Sequence, residues 1–293
     1  MKPCSATRIK ALLACLALVG LTISSPGFAV TDAEALPRLV QLSQTPGQAS
    51  IDEVLSIAQE PTTNELRQQF VFTALIQLGP STGGDEYAKS VLDNPASAPF
   101  NLRGALGYLA EHAQPWMAPY AEQYLAASYP GEVRTVAAYL AGQLGLQAQR
   151  DSVIAVVNNA DYGEWRRLAA FGLAYLTDAT EFQTVIEPSS LNIYEKRLVT
   201  QYSEFILADE TVKEANISSL LRSSYIELQL AGLRYIVANN KTDLVLGYLI
   251  ATAVGDEQLM TVTDPKYQLL LRILGYEITG DINNILINQR ALL

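Results

Sequence analysis

The sequence predicts an all-α fold, an α-α superhelix of about seven or eight stacked helical hairpins. Three observations carry that prediction. Five arginines, Arg67, Arg103, Arg134, Arg166 and Arg197, recur at steps of 36, 31, 32 and 31 residues. Five positions after each comes an aromatic: Phe72, Tyr108, Tyr139, Phe171 and Tyr202. Apolar residues keep helical spacing throughout the chain, whereas strand-like alternation is sparse. A period of about 32 residues fits two short helices and their turns, and such a hairpin buries its apolar face only by stacking on its neighbours.

The elements follow in chain order. Residues 1–29 read as an export signal and residues 30–293 as one helical domain. Lys2, Arg8 and Lys10 open the chain, and residues 11–23 are uncharged and mostly apolar. Pro26 breaks that run, and Gly27-Phe28-Ala29 sets small residues where a signal peptidase cuts. The run has 13 residues, short of the roughly 20 needed to span a bilayer. Leu12-Leu13-Ala14-Cys15 also looks like a lipoprotein box, although an apolar stretch follows it rather than a polar tether.

Capping-box spacing at Ser50 with Glu53 and at Thr62 with Glu65 predicts two helix starts. First helices of the hairpins are expected near 132–145, 164–178 and 225–238. In 132–145, Val133, Val136, Ala137, Leu140 and Leu144 share one face. Second helices are expected near 119–128, 150–158, 179–186, 211–221, 242–253 and 281–291. Gly79-Pro80, Asn94-Pro95, Pro130-Gly131, Asn158-Asn159 and Asn239-Asn240 separate these elements. Residues 79–85 and 255–264 are read as the longest connections. Alanines at inner positions, among them Ala105, Ala137, Ala138, Ala169 and Ala170, allow helices to approach closely.

The segments NLRGALGYLAEHA, EVRTVAAYLAGQLG and EWRRLAAFGLAYL resemble HEAT repeats of the short kind found in bilin-lyase-like proteins. There a Val-Arg pair precedes a run of small residues and then Leu-Gly. The resemblance covers residues 64–208 and drifts beyond them, where the arginine position falls at Leu228 or Gln229 and then at Lys266 or Gln268. It implies an armadillo-like α-solenoid that serves protein–protein contact. It implies no chemistry, since function on such folds resides in the surface.

The arginines are expected to form a structural ladder, each bonding a carboxylate or carbonyl of a neighbouring repeat, because a planar guanidinium makes several directed bonds at once. A stripe of guanidinium groups facing a ligand is the competing reading. The aromatics five positions on are expected in the core. Trp116, Tyr120 and Tyr124 are the candidate binding residues. The two tyrosines sit one helical turn apart on a second helix, the kind expected to line the concave side, with Trp116 just before them. Packing against the next hairpin is the competing reading for this trio.

Both cysteines, Cys4 and Cys15, fall in the signal segment, which leaves a mature chain without disulfide or thiol chemistry. Removing three of the 20 basic residues leaves 17 against 30 acids, a charge of −13 that disfavours nucleic acid and anionic membranes. A single histidine, His112, expected to face a helix C-terminus, provides no basis for a histidine metal site. No nucleophile elbow or phosphate loop is present, and no cofactor is expected. Asn216-Ile-Ser and Asn240-Lys-Thr are glycosylation sequons. The sequence therefore reads as an exported, periplasmic or secreted, non-catalytic scaffold that docks a protein or peptide on its concave face. The alternative is a carbohydrate-active hydrolase or lyase with paired carboxylates beside Trp116 or Trp165.

Overall fold

The computed structural model describes residues 31–241 apart from 46, 61, 63, 222 and 240. The export signal expected at 1–29, the helices expected at 242–253 and 281–291, the connection expected at 255–264 and the sequon at Asn240 lie outside the described residues. Within them the protein is all-helical, with no strand.

Thirteen α-helices are described: α1 (Asp32–Ser43), α2 (Gln48–Gln59), α3 (Glu65–Leu78), α4 (Thr82–Leu92), α5 (Pro99–Ala110), α6 (Ala118–Tyr124), α7 (Gly131–Gln143), α8 (Arg150–Asn158), α9 (Arg166–Leu173), α10 (Ala179–Ile186), α11 (Ile193–Leu207), α12 (Glu210–Leu221) and α13 (Ile226–Ala238). Short 3₁₀ turns at Pro115–Met117, Gln147–Gln149 and Ala160–Trp165 lead into α6, α8 and α9. None of the described helices is long and apolar enough to cross a membrane.

The odd-numbered helices form one row, each packed on the next from α1 to α13, and the even-numbered helices flank it. Each even helix packs on the odd helix that follows it: α2 on α3, α4 on α5, α6 on α7, and so on to α12 on α13. The arrangement is a stack of α-α pairs, as the period predicts.

Side chains at the helix starts set the boundaries. Asn64 accepts from the backbone N–H groups of Leu66 and Arg67 at the head of α3, and Ser81 accepts from that of Gly84 in α4. Asp178 does the same for Glu181 in α10. Asn192 and Glu195 form a reciprocal capping box on α11. The two boxes expected from spacing do not form. Ser50 lies inside α2, whose cap is Gly47, and Glu53 is taken by the Arg38 guanidinium at 2.5 Å. Thr62 accepts from the Asn64 N–H and donates to Asp32, so the capping role passes to Asn64. The connection expected at 79–85 is also shorter: α4 begins at Thr82, and Gly83 and Gly84 are helical because Ser81 caps them.

The core is continuous along the odd row. Leu39, Val71, Leu75, Leu106, Leu109, Leu140, Leu173 and Val199 are all essentially inaccessible. Each such side chain contributes roughly 1.5–3 kcal/mol on burial. Nine of the 13 residues of α7 are buried, which makes it the centre of the stack. The backbones of α7 and α9 nearly touch there. A Cβ added to Gly142 would lie 2.1 Å from the Gly172 carbonyl oxygen, and one on Gly172 would lie 2.3 Å from that of Ala138.

Candidate functional site

The periodic arginines divide into four that bond other described residues and one that bonds none of them. Arg67, 3 % exposed, donates to Asp32 at 3.0 Å, to Glu60 at 2.9 Å and to the Ile57 carbonyl at 2.7 Å. Its hydrogen bond, joined by that of Thr62, holds the Asp32 carboxyl below its ordinary pKa. Arg103 reaches Glu132, at the start of α7, at 2.9 Å and lies over the Trp165 ring. Arg134 donates to the Leu125 carbonyl at 2.9 Å and to the Tyr162 hydroxyl ahead of α9. Arg166 donates to the Gly163 carbonyl at 2.9 Å and to the Ser190 hydroxyl ahead of α11 at 2.5 Å. From Arg103 to Arg166 the rule is uniform: each arginine bonds the lead-in segment or first turn of the next odd helix.

Arg197 stands at the same position of α11 and departs from the rule. It is exposed and makes no hydrogen bond or ion pair to any described residue. The segment it would reach, ahead of α13, contains Ser223, Ser224 and Tyr225. Those residues and Arg197 instead line a solvent-open groove of about 910 Å³. One wall is a single face of α11 carrying Arg197, Gln201, Glu204 and Phe205, continued by Ala208 just after the helix. The other is α12, with Val212, Ala215, Asn216 and Ser219. Helix α12 packs chiefly on α13, and the groove lies between α12 and α11. Ile193, 76 % exposed, lies one turn before Arg197 on the same face.

The aromatic trio singled out in the sequence is spent largely inside the molecule. Tyr124 is 2 % exposed and donates to the Leu92 carbonyl at the end of α4, and burial pushes its hydroxyl pKa up to about 12. It packs between hairpins and is unavailable for docking. Tyr120 is half-buried and donates to Asp93 at 3.0 Å. Trp116 meets Tyr120 edge-on, and the Lys89 ammonium sits 3.8 Å from its ring centroid. The trio thus joins α4 to α6. Its one-turn spacing on a second helix fits packing as well as binding, and sequence alone does not separate the two.

The five aromatics that follow the arginines are all buried. Three of the repeats converge further. Tyr139 of α7 and Tyr202 of α11 have hydroxyls 3.5 Å apart, and Tyr175, just after α9, meets Tyr202 at 3.0 Å. Gln143 donates to Tyr139 at 3.1 Å, while its own carbonyl oxygen is buried without a protein partner. Burial pushes the Tyr175 hydroxyl to about 12 and Tyr202 well above its ordinary value. Arg234 of α13 closes the cluster. It takes Glu111, 123 residues earlier, with two nitrogens at 2.6 and 3.3 Å, and touches the Tyr139 hydroxyl at 3.4 Å. Burial opposes its charge, but Tyr139 and Glu111 outweigh that and raise its pKa.

This cluster was legible in part. Arg234 stands five positions after Gln229, in the register of the buried aromatics, so a charge there signals a polar partner inside the row. Gln229 itself holds the arginine position and donates to the Ser223 carbonyl. Arg234 thus ties α13 to the end of α5 across the intervening odd helices. The lone histidine, His112, bonds Asp85 of α4 at 2.9 Å and lies edge-on to Tyr108, so its partner is a carboxylate rather than a helix terminus.

No protein-family model, no curated protein and no solved structure matches the chain.

Proposed function

We propose that the protein is an exported, non-catalytic binding or scaffold protein of HEAT-like build, and that its polypeptide partner docks in the groove between α11, α12 and the start of α13. The observation that carries this reading is the open groove at the one repeat whose arginine is unspent. A rigid helical wall that presents an aliphatic residue, a guanidinium, an amide and a carboxylate in a row suits an extended segment. Preorganised repeats limit the ordering cost of such binding. The face of the odd row that carries Tyr139, Tyr175, Tyr202, Glu111 and Arg234 suits docking less well, because these side chains bond one another there.

The test uses the full chain with a photo-crosslinker at Gln201, and separately at Tyr120, expressed in an export-competent cell. The expected result is one saturable polypeptide adduct from Gln201, competed by unlabelled protein, and none from Tyr120. Failure of both positions to trap a saturable polypeptide would remove the binding reading. Export is tested on the same samples by N-terminal sequencing, which should begin at Val30; a chain that retains Met1 would remove it.

A further inference from the structure

The bonded arginines show what the groove lacks. Arg103, Arg134 and Arg166 each receive an oxygen from the first turn of the next odd helix or the segment ahead of it: a Glu132 carboxylate, a Tyr162 hydroxyl and the Ser190 hydroxyl. Arg67, which reaches back to α1 and α2, takes two carboxylates. A guanidinium at this position of the repeat is thus directed toward the gap between successive odd helices, and a carboxylate is the partner it takes twice over. At α11 the gap is open, and Ser223, Ser224 and Tyr225 line it without closing on Arg197.

We propose, resting on the reading of the groove as a peptide-docking site, that Arg197 is a carboxylate-reading subsite. It takes the acidic side chain of an extended partner segment, which supplies in trans the rung that the other repeats make internally. Charge complementarity supports that occupant. A planar guanidinium with five donors matches a carboxylate in a two-point bond, and such charge-assisted bonds are the strong ones. The protein is acidic overall, at −10 for the full chain, so an acidic segment gains nothing from the general field and must be read by this one cation. Glu204 lies seven residues along the same face, about 10 Å away along the helix axis. It gives the groove a second pole, so the segment docks in one direction, acid toward the head of α11.

The experiment selects binders to the full chain from a random peptide library displayed as N-terminal fusions on phage, where no peptide carboxy-terminus is free. The expected outcome is a shared Asp or Glu in the selected peptides. Changing it to Asn or Gln, or making Arg197→Met in the protein, should weaken binding about tenfold, and the two changes together should cost no more than one alone. Circular dichroism of the Arg197→Met protein should match that of the parent, since Arg197 bonds nothing described. Peptides selected without an acid, or a loss below about twofold on Arg197→Met, would overturn the subsite while leaving peptide docking intact. A library that yields no binder overturns both. A cross-link from Gln201 to residues 242–293 of the same chain would also overturn the proposal, since the groove would then be filled from within.

Discussion

The stack from α5 to α9 and the stretch from α11 to α13 come from one repeat, yet they pack differently. Helices α7 and α9 carry Ala137, Ala138, Ala141 and Gly142 against Ala169, Ala170 and Gly172, and their backbones come within contact distance. Helix α11 has no alanine or glycine along its length and packs more sparingly on both odd neighbours. Small residues let ridges interlock at short separation, and large ones hold helices apart. The arginine of the repeat is a rung where the helices are close, and where they are not it bonds no described residue. Open surface in a repeat array can arise in this way, by replacing the small residues of one interface while keeping the repeat's arginine.

Substitutions that force the close region apart should have the largest effect. Gly172→Val puts branched carbons into the Ala138 carbonyl of α7, and we expect a loss of about 3 kcal/mol or more in urea unfolding. An unchanged midpoint would show that α7 and α9 tolerate separation and that the contrast with α11 is shallow.

Arg67→Met comes next. It removes the buried donor to the Ile57 carbonyl and breaks the ion pair to Glu60, and we expect a cost of about 2–3 kcal/mol. The companion change Arg197→Met should stay within about 0.5 kcal/mol of the parent. Equal costs for the two, by chemical denaturation, would erase the distinction between bonded and unbonded arginines.

The Arg234–Glu111 pair tests whether the looser end is fastened across the row. Arg234→Met and Glu111→Gln should each destabilise, with a coupling of about 1 kcal/mol in a double-mutant cycle. The pair is partly exposed, at 30 % and 21 %, so that figure already allows for solvent screening. Additive single effects would mean that α13 does not depend on the end of α5.

The buried phenols give the smallest effect, confined to alkaline pH. In the fold burial pushes Tyr175 up to about 12 and Tyr202 well above its ordinary value, whereas an unfolded tyrosine ionises at about 10. Between those values the unfolded chain has lost protons that the fold retains, so stability falls as pH rises. The contribution is fully present below pH of about 10 and is lost as pH climbs through about 12. Tyr175→Phe should flatten that decline without altering stability near neutrality by more than about 1 kcal/mol. A decline as steep as the parent's would place the alkaline sensitivity elsewhere.

The sequence by itself determined the class of fold, because helical periodicity and a repeat of about 32 residues are local properties that survive without knowledge of contacts. Several helices are found within a residue or two of their expected limits, as at 150–158, 179–186 and 211–221. Caps were less legible: Ser50 with Glu53 has the right spacing, but Arg38 competes for the carboxylate across 15 residues. Only the tertiary structure decided which side of Tyr124 faces a neighbour, since a one-turn pair of tyrosines looks the same whether it docks a ligand or a helix. Only the tertiary structure brought Glu111 to Arg234 and left Arg197 facing a gap. Both depend on the separation and tilt of successive helices, quantities summed over many side chains and written in no single motif.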